Sequence, residues 1–371
     1  MTRDLIGSGI DRIIEYQAQA LVEGGNKVTI LTVTGGQTPH GDIAFRGFQR
    51  SLGFLGNRIL YFTLPANILW TSRHIRELAK FDVLIAHLYP MTWLADFLRR
   101  TSHTKYVLYN HGILDTTAME ERLLEKMYVK TLTLLSTATI GKPDLAVSIS
   151  DYTRRQLKKY AGVDSKIVNN PVDDKFLKLN SDSSKAREKL NLGSSPILLF
   201  VGLVEPRKGI HLLLKIHEIV KKKFPETKLL MVGRIRHPRY FSSIASGVDS
   251  SVKLIGWVSS EDLAAYYGAC DVYVTASSWE GFDMPLAEAQ ASGKPVVAFD
   301  IGAHPEIVED GQTGFLIRPG YVDAFASAVI SLLSNEDKRH EMGAKGQFIA
   351  KKKFNLQRFS LETRSLVRSL F

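Results

Sequence analysis

Short apolar strands alternate with amphipathic helices along almost the whole of this 371-residue chain, and no other feature restricts its fold as strongly. The candidate strands are rich in β-branched residues and mostly apolar on both faces, which is typical of parallel strands covered by helices on both sides. They comprise residues 27–34, 82–88, 105–111, 145–150, 197–202, 228–233, 252–258, 271–277 and 295–300. The pattern predicts an α/β protein with doubly wound parallel sheets.

A polar stretch at residues 167–190 divides this series of strands and helices in two. The chain is also too long for one ordinary core, so we predict two doubly wound domains that meet across a cleft. Ligands of such sheets bind beyond the carboxyl ends of the strands. Only MTRDLI precedes Gly7, the first glycine turn, and two of its six residues are charged. The first strand of the first domain is therefore expected to be missing or shortened.

Charge and cysteine content narrow the classes of function. The net charge of +10 favours phosphorylated small molecules, anionic lipid surfaces or nucleic acid as partners. No basic motif with interleaved aromatics, zinc knuckle or recognition helix is present, so nucleic acid is not expected.

The single cysteine, Cys270, is predicted to be a buried, inert thiol. No apolar run reaches the roughly 18 residues of a membrane span and no signal peptide is visible, so a cytoplasmic protein is expected.

Two turns before helices carry candidate anion-binding groups. Gly7 and Gly9 would let the backbone approach a phosphate at a helix start, although a plain tight turn explains them equally well. Arg207 and Lys208 precede Gly209 in VGLVEPRKGIHLLL, where two cations suit a diphosphate. A solvated basic turn is the alternative for that pair.

Two further candidates, His111 and Glu280, stand at strand ends, and a third, Glu288, falls in or just past the first turn of a predicted helix. His111 closes KYVLYNH, where it can donate to a substrate hydroxyl, stabilise a developing charge or be structural. It has no partner at zinc-ligand spacing, so a metal is not expected. Glu280 and Glu288 lie in SSWEGFDMPLAEAQASG, and the helix dipole explains an acid like Glu288 but not Glu280. The backbone amides between them could bind an anion or sugar hydroxyls. These amides belong to Phe282, Asp283 and Met284.

Taken in order, these stretches resemble family 4 of the retaining glycosyltransferases. The two glutamates of EGFDMPLAEAQASGKPVVA resemble the signature of that family, in which seven residues separate the acids. The likeness covers nearly the whole chain and is strongest from residue 197 to 318. It also rests on GSGIDRIIEYQAQALVEGGNKVTILT, NHG, NNPVDDKF, FVGLVEPRKGIHLLL, VKLIGWVSSEDLAAYYGACDVYVTASSWEGF and IGAHPEIVEDGQTGFLI.

The resemblance implies the GT-B fold of two Rossmann-like domains. Residues 1–172 would form the acceptor-side domain and residues 173–354 the nucleotide-sugar domain. The C-terminal helix 355–371 would cross back to the first domain, and a surface helix of the second domain is the alternative. The stretch 48–70 mixes Arg50 and Arg58 with aromatic and aliphatic residues. It is interpreted equally as a core helix or as an amphipathic surface for a lipid-linked acceptor at an anionic membrane face.

The resemblance also implies the activity. A sugar would move from a nucleoside-diphosphate sugar to a hydroxyl of a glycan, glycolipid or lipid-linked saccharide, with retained configuration and without metal or other cofactor. Glu280 would lie against the donor sugar near the reacting carbon, and His111 would contact the same sugar. Glu288 would hold the ribose hydroxyls, while Arg207 and Lys208 would neutralise the diphosphate.

Further donor contacts are implied for backbone groups. Gly7 and Gly9 would approach the diphosphate, and the amides of 282–284 would bind hydroxyls or phosphate. The base would lie near Trp257 and Val258.

The sequence departs from the family pattern at several points. Leu203 stands where the family usually has Arg, VGRIRHPRY replaces the usual Gly-x-Gly, and Pro171 replaces the linker glycine. Leu203 and the short start leave open a degenerate, non-catalytic scaffold that binds nucleotide-sugar. A sugar-nucleotide epimerase, which shares the fold, is the alternative enzyme class.

Overall fold

A computed structural model of the chain describes residues 9–34, 43–49, 74–87, 89–113, 123–179, 184–245 and 248–371, and the single positions 56, 59 and 63. The predicted first strand, Gly7, Arg50 and Arg58 lie outside these residues. The described residues form two compact units. Unit 1 contains those up to Pro171 together with 356–371, and unit 2 contains 172–355.

Short strands make up the framework of both units. They are β1 (Thr29–Thr34), β2 (Ala44–Gln49), β3 (Val83–Ala86), β4 (Lys105–Asn110), β5 (Leu145–Ser148), β6 (Lys166–Ile167), β7 (Ile197–Val201), β8 (Lys228–Val232), β9 (Val252–Gly256), β10 (Val272–Thr275), β11 (Val296–Phe299) and β12 (Gly314–Ile317).

Helices connect and cover these strands. They are α1 (Gly9–Glu23), α2 (Met91–Thr101), α3 (Leu123–Ala138), α4 (Asp151–Ala161), α5 (Asp174–Leu177), α6 (Ser184–Lys189), α7 (Ile210–Lys223), α8 (Pro238–Ala245), α9 (Ser260–Ala269), α10 (Met284–Ala291), α11 (His304–Ile307), α12 (Val322–Leu333), α13 (Glu336–Lys353) and α14 (Leu356–Arg368). Within the part of the chain that the structure describes, none of the helices is both long and apolar enough to cross a lipid bilayer.

The paired strands run parallel in both units, which confirms the predicted α/β class. Unit 2 has a six-stranded sheet in the order β12-β11-β10-β7-β8-β9. Unit 1 has a four-stranded sheet in the order β3-β4-β5-β6 and a separate pair of β1 and β2. In unit 2, Leu199 of β7 stands beside Tyr273 of β10, so these two strands end at one edge of the sheet.

The centre of unit 2 is apolar on both faces of its sheet. All five residues of β7 and all four of β10 are buried, as expected of strands covered by helices on both sides. Helix α7 buries Leu213, Ile216 and Val220, which recur at helical spacing, and it ends in a lysine run two residues before Pro225. This packing fixes the turn between β7 and α7 on the core.

Unit 1 packs helices against both its sheets. Leu84, Leu94 and Tyr106 belong to the core between β3, β4 and α2. Helix α14 lies against α1, where Phe359 is fully buried and the hydroxyl of Ser360 donates to the carboxylate of Glu23 at 3.4 Å. The C-terminal helix is therefore part of unit 1.

Cys270 lies in unit 2, directly after α9. It is 1% exposed, and its thiol donates to the carbonyl of Tyr267 at 3.4 Å. Burial raises the pKa of the thiol to about 12. The thiol is buried as predicted, and at neutral pH it is protonated and unreactive.

Candidate functional site

The carboxyl ends of β7 and β10 bring one acid and two bases together in unit 2. Lys208 lies in a 3₁₀ turn after β7, and Glu280 lies in the loop after β10. Oε1 of Glu280 accepts hydrogen bonds from Nζ of Lys208 at 2.6 Å and from Nη1 of Arg207 at 3.0 Å. Lys208 and Glu280 are 7% and 6% exposed, so their charges are almost fully withdrawn from bulk water. The structure thus joins three of the predicted catalytic residues.

Two glycines allow the loops of this cluster to touch. Gly209 has φ +65°, and a Cβ placed there would lie 2.1 Å from the carbonyl oxygen of Ala276. Gly302 has φ +52°, and its Cβ would lie 2.2 Å from the carbonyl oxygen of Glu280. Only glycine fits such backbone approaches.

The guanidinium of Arg207 is held by several protein acceptors. Its Nη2 and Nε donate to Oε1 of Glu205 at 2.8 and 3.2 Å, and its Nη1 also donates to the carbonyl of Trp279 at 2.8 Å. Burial alone would lower the pKa of Arg207, but Glu280 and Glu205 raise it above its usual value. Arg207 therefore stays charged and ties the turn after β7 to the loop of Glu280.

The start of α10 leaves backbone amides available beside this cluster. The carboxylate of Asp283 caps the helix at the amide of Leu286, 3.5 Å away, and it pairs with Nε2 of His304 at 3.2 Å. Burial alone would raise the pKa of Asp283, but Lys208 and His304 lower it below its ordinary value. Within the described residues, the three amides predicted to bind an anion donate no hydrogen bond. They belong to Phe282, Asp283 and Met284.

Glu288 lies one turn into α10 and is 1% exposed. Its Oε2 accepts a hydrogen bond from the hydroxyl of Tyr267 at 2.9 Å, and the same hydroxyl lies 3.1 Å from the carbonyl of Pro285. Tyr267, from α9, was missed by sequence reasoning, because a tyrosine in an apolar helix gives no local sign of its partner. It fixes one oxygen of the glutamate.

The residues predicted to lie near the nucleotide base follow β9. Val258 is half-buried, whereas Trp257 is 63% exposed. The guanidinium of Arg234, from the loop after β8, lies 5.4 Å from the Trp257 ring centroid. An exposed aromatic ring with a cation at its face is a platform on which a planar base can stack.

His111 lies in unit 1, at the carboxyl end of β4, and it belongs to a hydrogen-bonded chain that the sequence did not reveal. Its Nε2 lies 2.9 Å from Nδ1 of His87, and Nε2 of His87 lies 3.0 Å from Oε1 of Gln17. Burial lowers the pKa of His111 to about 4 and that of His87 well below its ordinary value. Both rings are neutral at pH 7. Gly9, also in unit 1, is the first residue of α1 and is exposed.

No group of three or more His, Cys, Asp and Glu side chains suited to a metal ion occurs among the residues placed by the structure. The sequence-based expectation of chemistry without a metal stays a prediction.

Two family models match the chain, one to each half. The model described as Glycosyltransferase Family 4 matches residues 7–176, and the model described as Glycosyl transferases group 1 matches residues 182–348. Together they cover most of the sequence and include every predicted site residue.

Among curated proteins, the chain is similar to two mycobacterial mannosyltransferases. It is 30% identical over 216 residues to a GDP-mannose-dependent alpha-(1-6)-phosphatidylinositol monomannoside mannosyltransferase of Mycolicibacterium smegmatis, covering 55% of this chain and 56% of that protein. It is 33% identical over 206 residues to a phosphatidyl-myo-inositol mannosyltransferase of Mycobacterium leprae, covering 54% and 52%. The chain thus spans little more than half the length of these relatives.

Among solved structures, the fold matches over the full chain. Sucrose-phosphate synthase of Thermosynechococcus elongatus gives a TM-score of 0.79 at 21% identity, covering 100% of this chain and 99% of that one. The lipopolysaccharide glycosyltransferase WaaG gives 0.78 at 17%, covering 99% of each, and Anabaena HepE in complex with UDP-glucose gives 0.76 at 18%, covering 100% of each. At these low identities the similarity concerns the fold alone, and it confirms the predicted GT-B fold.

Proposed function

Since this chain belongs to family 4 of the glycosyltransferases, we propose that it moves a sugar from a nucleoside-diphosphate sugar to an acceptor hydroxyl with retained anomeric configuration. The observation that carries the proposal is the buried contact of Glu280 with Lys208 at 2.6 Å, at the carboxyl edge of the unit 2 sheet. Glycan, glycolipid or lipid-linked saccharide are the proposed acceptors, and the net charge of +10 favours approach to an anionic membrane.

Lys208 supplies positive charge for the leaving group. When the bond between the sugar carbon and the diphosphate oxygen breaks, the electron pair stays on the diphosphate, and the acceptor oxygen bonds to that carbon while its proton is released. Among the described residues, the ammonium of Lys208 bonds only to Glu280, so further N–H groups remain for phosphate oxygens. A fixed cation in a buried site stabilises such developing charge strongly. The proposal therefore needs no metal or other cofactor.

Glu280 is proposed to hold the donor sugar through its second oxygen. Oε1 accepts from both cations, whereas within the described part of the chain no hydrogen bond to Oε2 is found. A carboxylate oxygen fixed in this way is a strong acceptor for a sugar hydroxyl. We extend the proposal to Glu288 at the ribose hydroxyls, with Trp257 and Val258 at the base.

A donor screen tests the proposal. The melting temperature is measured with UDP-glucose and GDP-mannose, the donors named for a similar structure and a similar protein, and with ADP-glucose. A bound donor at about a hundred times its Kd stabilises by about 2.7 kcal/mol, which raises the melting temperature by several degrees. Transfer of the best donor to candidate acceptors is then followed, with the anomeric configuration of the product read by proton NMR.

Matched variants connect the result to the site. Lys208→Met is expected to abolish the donor-induced shift and the transfer, whereas Lys215→Met, an exposed lysine on α7, is expected to change neither. A chain that no nucleotide-sugar stabilises and that transfers nothing would refute the proposal, and an inverted product would refute its retaining part. Conversion of the donor without an acceptor would instead favour an epimerase.

A further inference from the structure

His87 is a buried titratable residue that the proposed function does not use. It follows β3, is 4% exposed and stands between Gln17 of α1, itself 5% exposed, and His111 at the end of β4. The ring of Tyr109 lies 5.1 Å from that of His87 and 5.4 Å from that of His111, centroid to centroid. Three elements thus hold the two imidazoles in a fixed orientation.

The hydrogen bonds that link Gln17, His87 and His111 determine which ring nitrogens carry the imidazole protons. Oε1 of Gln17 can only accept, so the proton of His87 lies on Nε2. A neutral imidazole carries one N–H, and Nδ1 of His87 is therefore the acceptor towards His111. The proton of His111 then lies on its Nε2, 2.9 Å away. Nδ1 of His111 keeps its lone pair and has no hydrogen-bond partner among the residues that the structure describes.

We infer that His87 is a positioning residue that fixes the tautomer of His111, so that Nδ1 of His111 accepts a hydrogen bond from a hydroxyl of a bound sugar substrate. The sugar contact rests on the proposed function, whereas the tautomer does not. The assignment replaces the sequence-based alternatives for His111, a donor to hydroxyls or a stabiliser of charge, by an acceptor. A sugar that lacks the hydroxyl at this point would leave a half-buried nitrogen unpaired.

The tautomer is tested without any catalytic readout. Protein labelled with ¹⁵N-histidine is examined at pH 7.5 by long-range ¹H–¹⁵N correlation, and His87 and His111 are assigned from the spectra of His87→Gln and His111→Asn. Both rings are expected to be protonated at Nε2 in the wild type. Gln17→Met removes the acceptor while keeping the length of the side chain, and it is expected to release His111 from the single tautomer. A wild-type His111 protonated at Nδ1, or one unchanged in both the Gln17 and the His87 variants, would overturn the inference.

Kinetics test the consequence for the sugar. The carboxamide of His87→Asn reaches the position of Nδ1 and can still bond to His111, whereas that of His87→Gln reaches the position of Nε2 and cannot. We expect kcat to fall about tenfold in His87→Gln and to stay within about threefold in His87→Asn, with the Kd for the nucleoside diphosphate unchanged in both. Equal losses of kcat in both variants, or a weakened diphosphate Kd, would assign His87 a merely structural role. Absence of any transfer would refute the proposed function but leave the NMR result decisive for the tautomer.

Discussion

Arg207 and Lys208 are neighbours in the sequence, but their contacts give them different tasks. The guanidinium of Arg207 donates hydrogen bonds to Glu205, to the carbonyl of Trp279 and to Glu280. The ammonium of Lys208 donates to Glu280 alone among the described residues. The sequence predicted both as diphosphate ligands, and these contacts favour Lys208 for that task and Arg207 for holding the acidic loop in place.

Replacing Arg207 tests this division at the level of stability. Arg207→Met leaves the buried carboxylate of Glu205 without its main partner, and we expect the free energy of unfolding to fall by about 3 kcal/mol. Arg236→Met is the control, because this more exposed arginine reaches Glu205 at only 3.3 Å and should contribute less than about 1 kcal/mol. Denaturant unfolding measures both, and equal losses would contradict the division.

His111 predicts a dependence of stability on pH. Its pKa is about 4 in the folded chain and about 6.5 when unfolded, so between these values the unfolded chain binds a proton that the folded chain does not. This contribution to stability is complete above pH 6.5 and is lost as the pH falls towards 4. The drop in melting temperature from pH 7 to pH 5 should therefore be larger in the wild type than in His111→Asn. Parallel pH profiles would show that the His111 pKa is not shifted.

At the scale of elements, the turn between β7 and α7 depends on the close approach of Gly209 to the loop after β10. Gly209→Ala places a Cβ against the carbonyl of Ala276 and also strains the positive φ. Gly193→Ala is a matched control, because Gly193 has φ +66° but nothing within 4 Å of its Cβ position. We expect about 1 kcal/mol of destabilisation for Gly193→Ala and at least about 3 kcal/mol for Gly209→Ala. Equal losses of unfolding free energy in the two variants would mean that the turn can shift away from Ala276 without destabilising the fold.

Regular elements were predictable where periodicity was strong. Each of the nine predicted strand segments contains a strand, and α1 and α7 end just before residues that commonly terminate helices, Gly24 and Pro225. Three strands were missed for local reasons. β6 is two exposed residues long, β2 contains Gly47 and lacks a regular alternation of polar and apolar residues, and β12 is four residues after a turn.

The site was predictable in part for the same physical reason. Residues at strand ends, such as Lys208, Glu280 and His111, share sheet edges, so their position followed from the strand pattern. Their partners did not follow, because Gln17 and His87 are 70 residues apart and no local pattern links them. Contacts of this kind are set by the packing of helix on sheet.

At the scale of the whole molecule, the last helix contributes to the stability of unit 1. Phe359 of α14 is fully buried, whereas Leu361 on the same helix is 55% exposed. We expect Phe359→Ala to lower the free energy of unfolding of unit 1 by about 3–5 kcal/mol and Leu361→Ala by less than about 0.5 kcal/mol.

Hydrogen exchange locates the effect of Phe359→Ala. Amides of β3 and β4 should exchange faster in this variant, while those of β7 and β10 keep their protection. Faster exchange confined to β7 and β10 would contradict the assignment of α14 to unit 1.

The single thiol, Cys270, is an internal probe for the opening of unit 2. Because Cys270 is buried in unit 2 and no other cysteine exists, a thiol reagent reacts only when that unit opens, and its labelling rate in native buffer reports the opening equilibrium without an engineered probe. A nucleotide-sugar bound to unit 2 should slow the labelling in proportion to its occupancy. Substitutions confined to unit 1, such as Phe359→Ala, should leave the rate unchanged, so one reagent separates the unfolding of the two units.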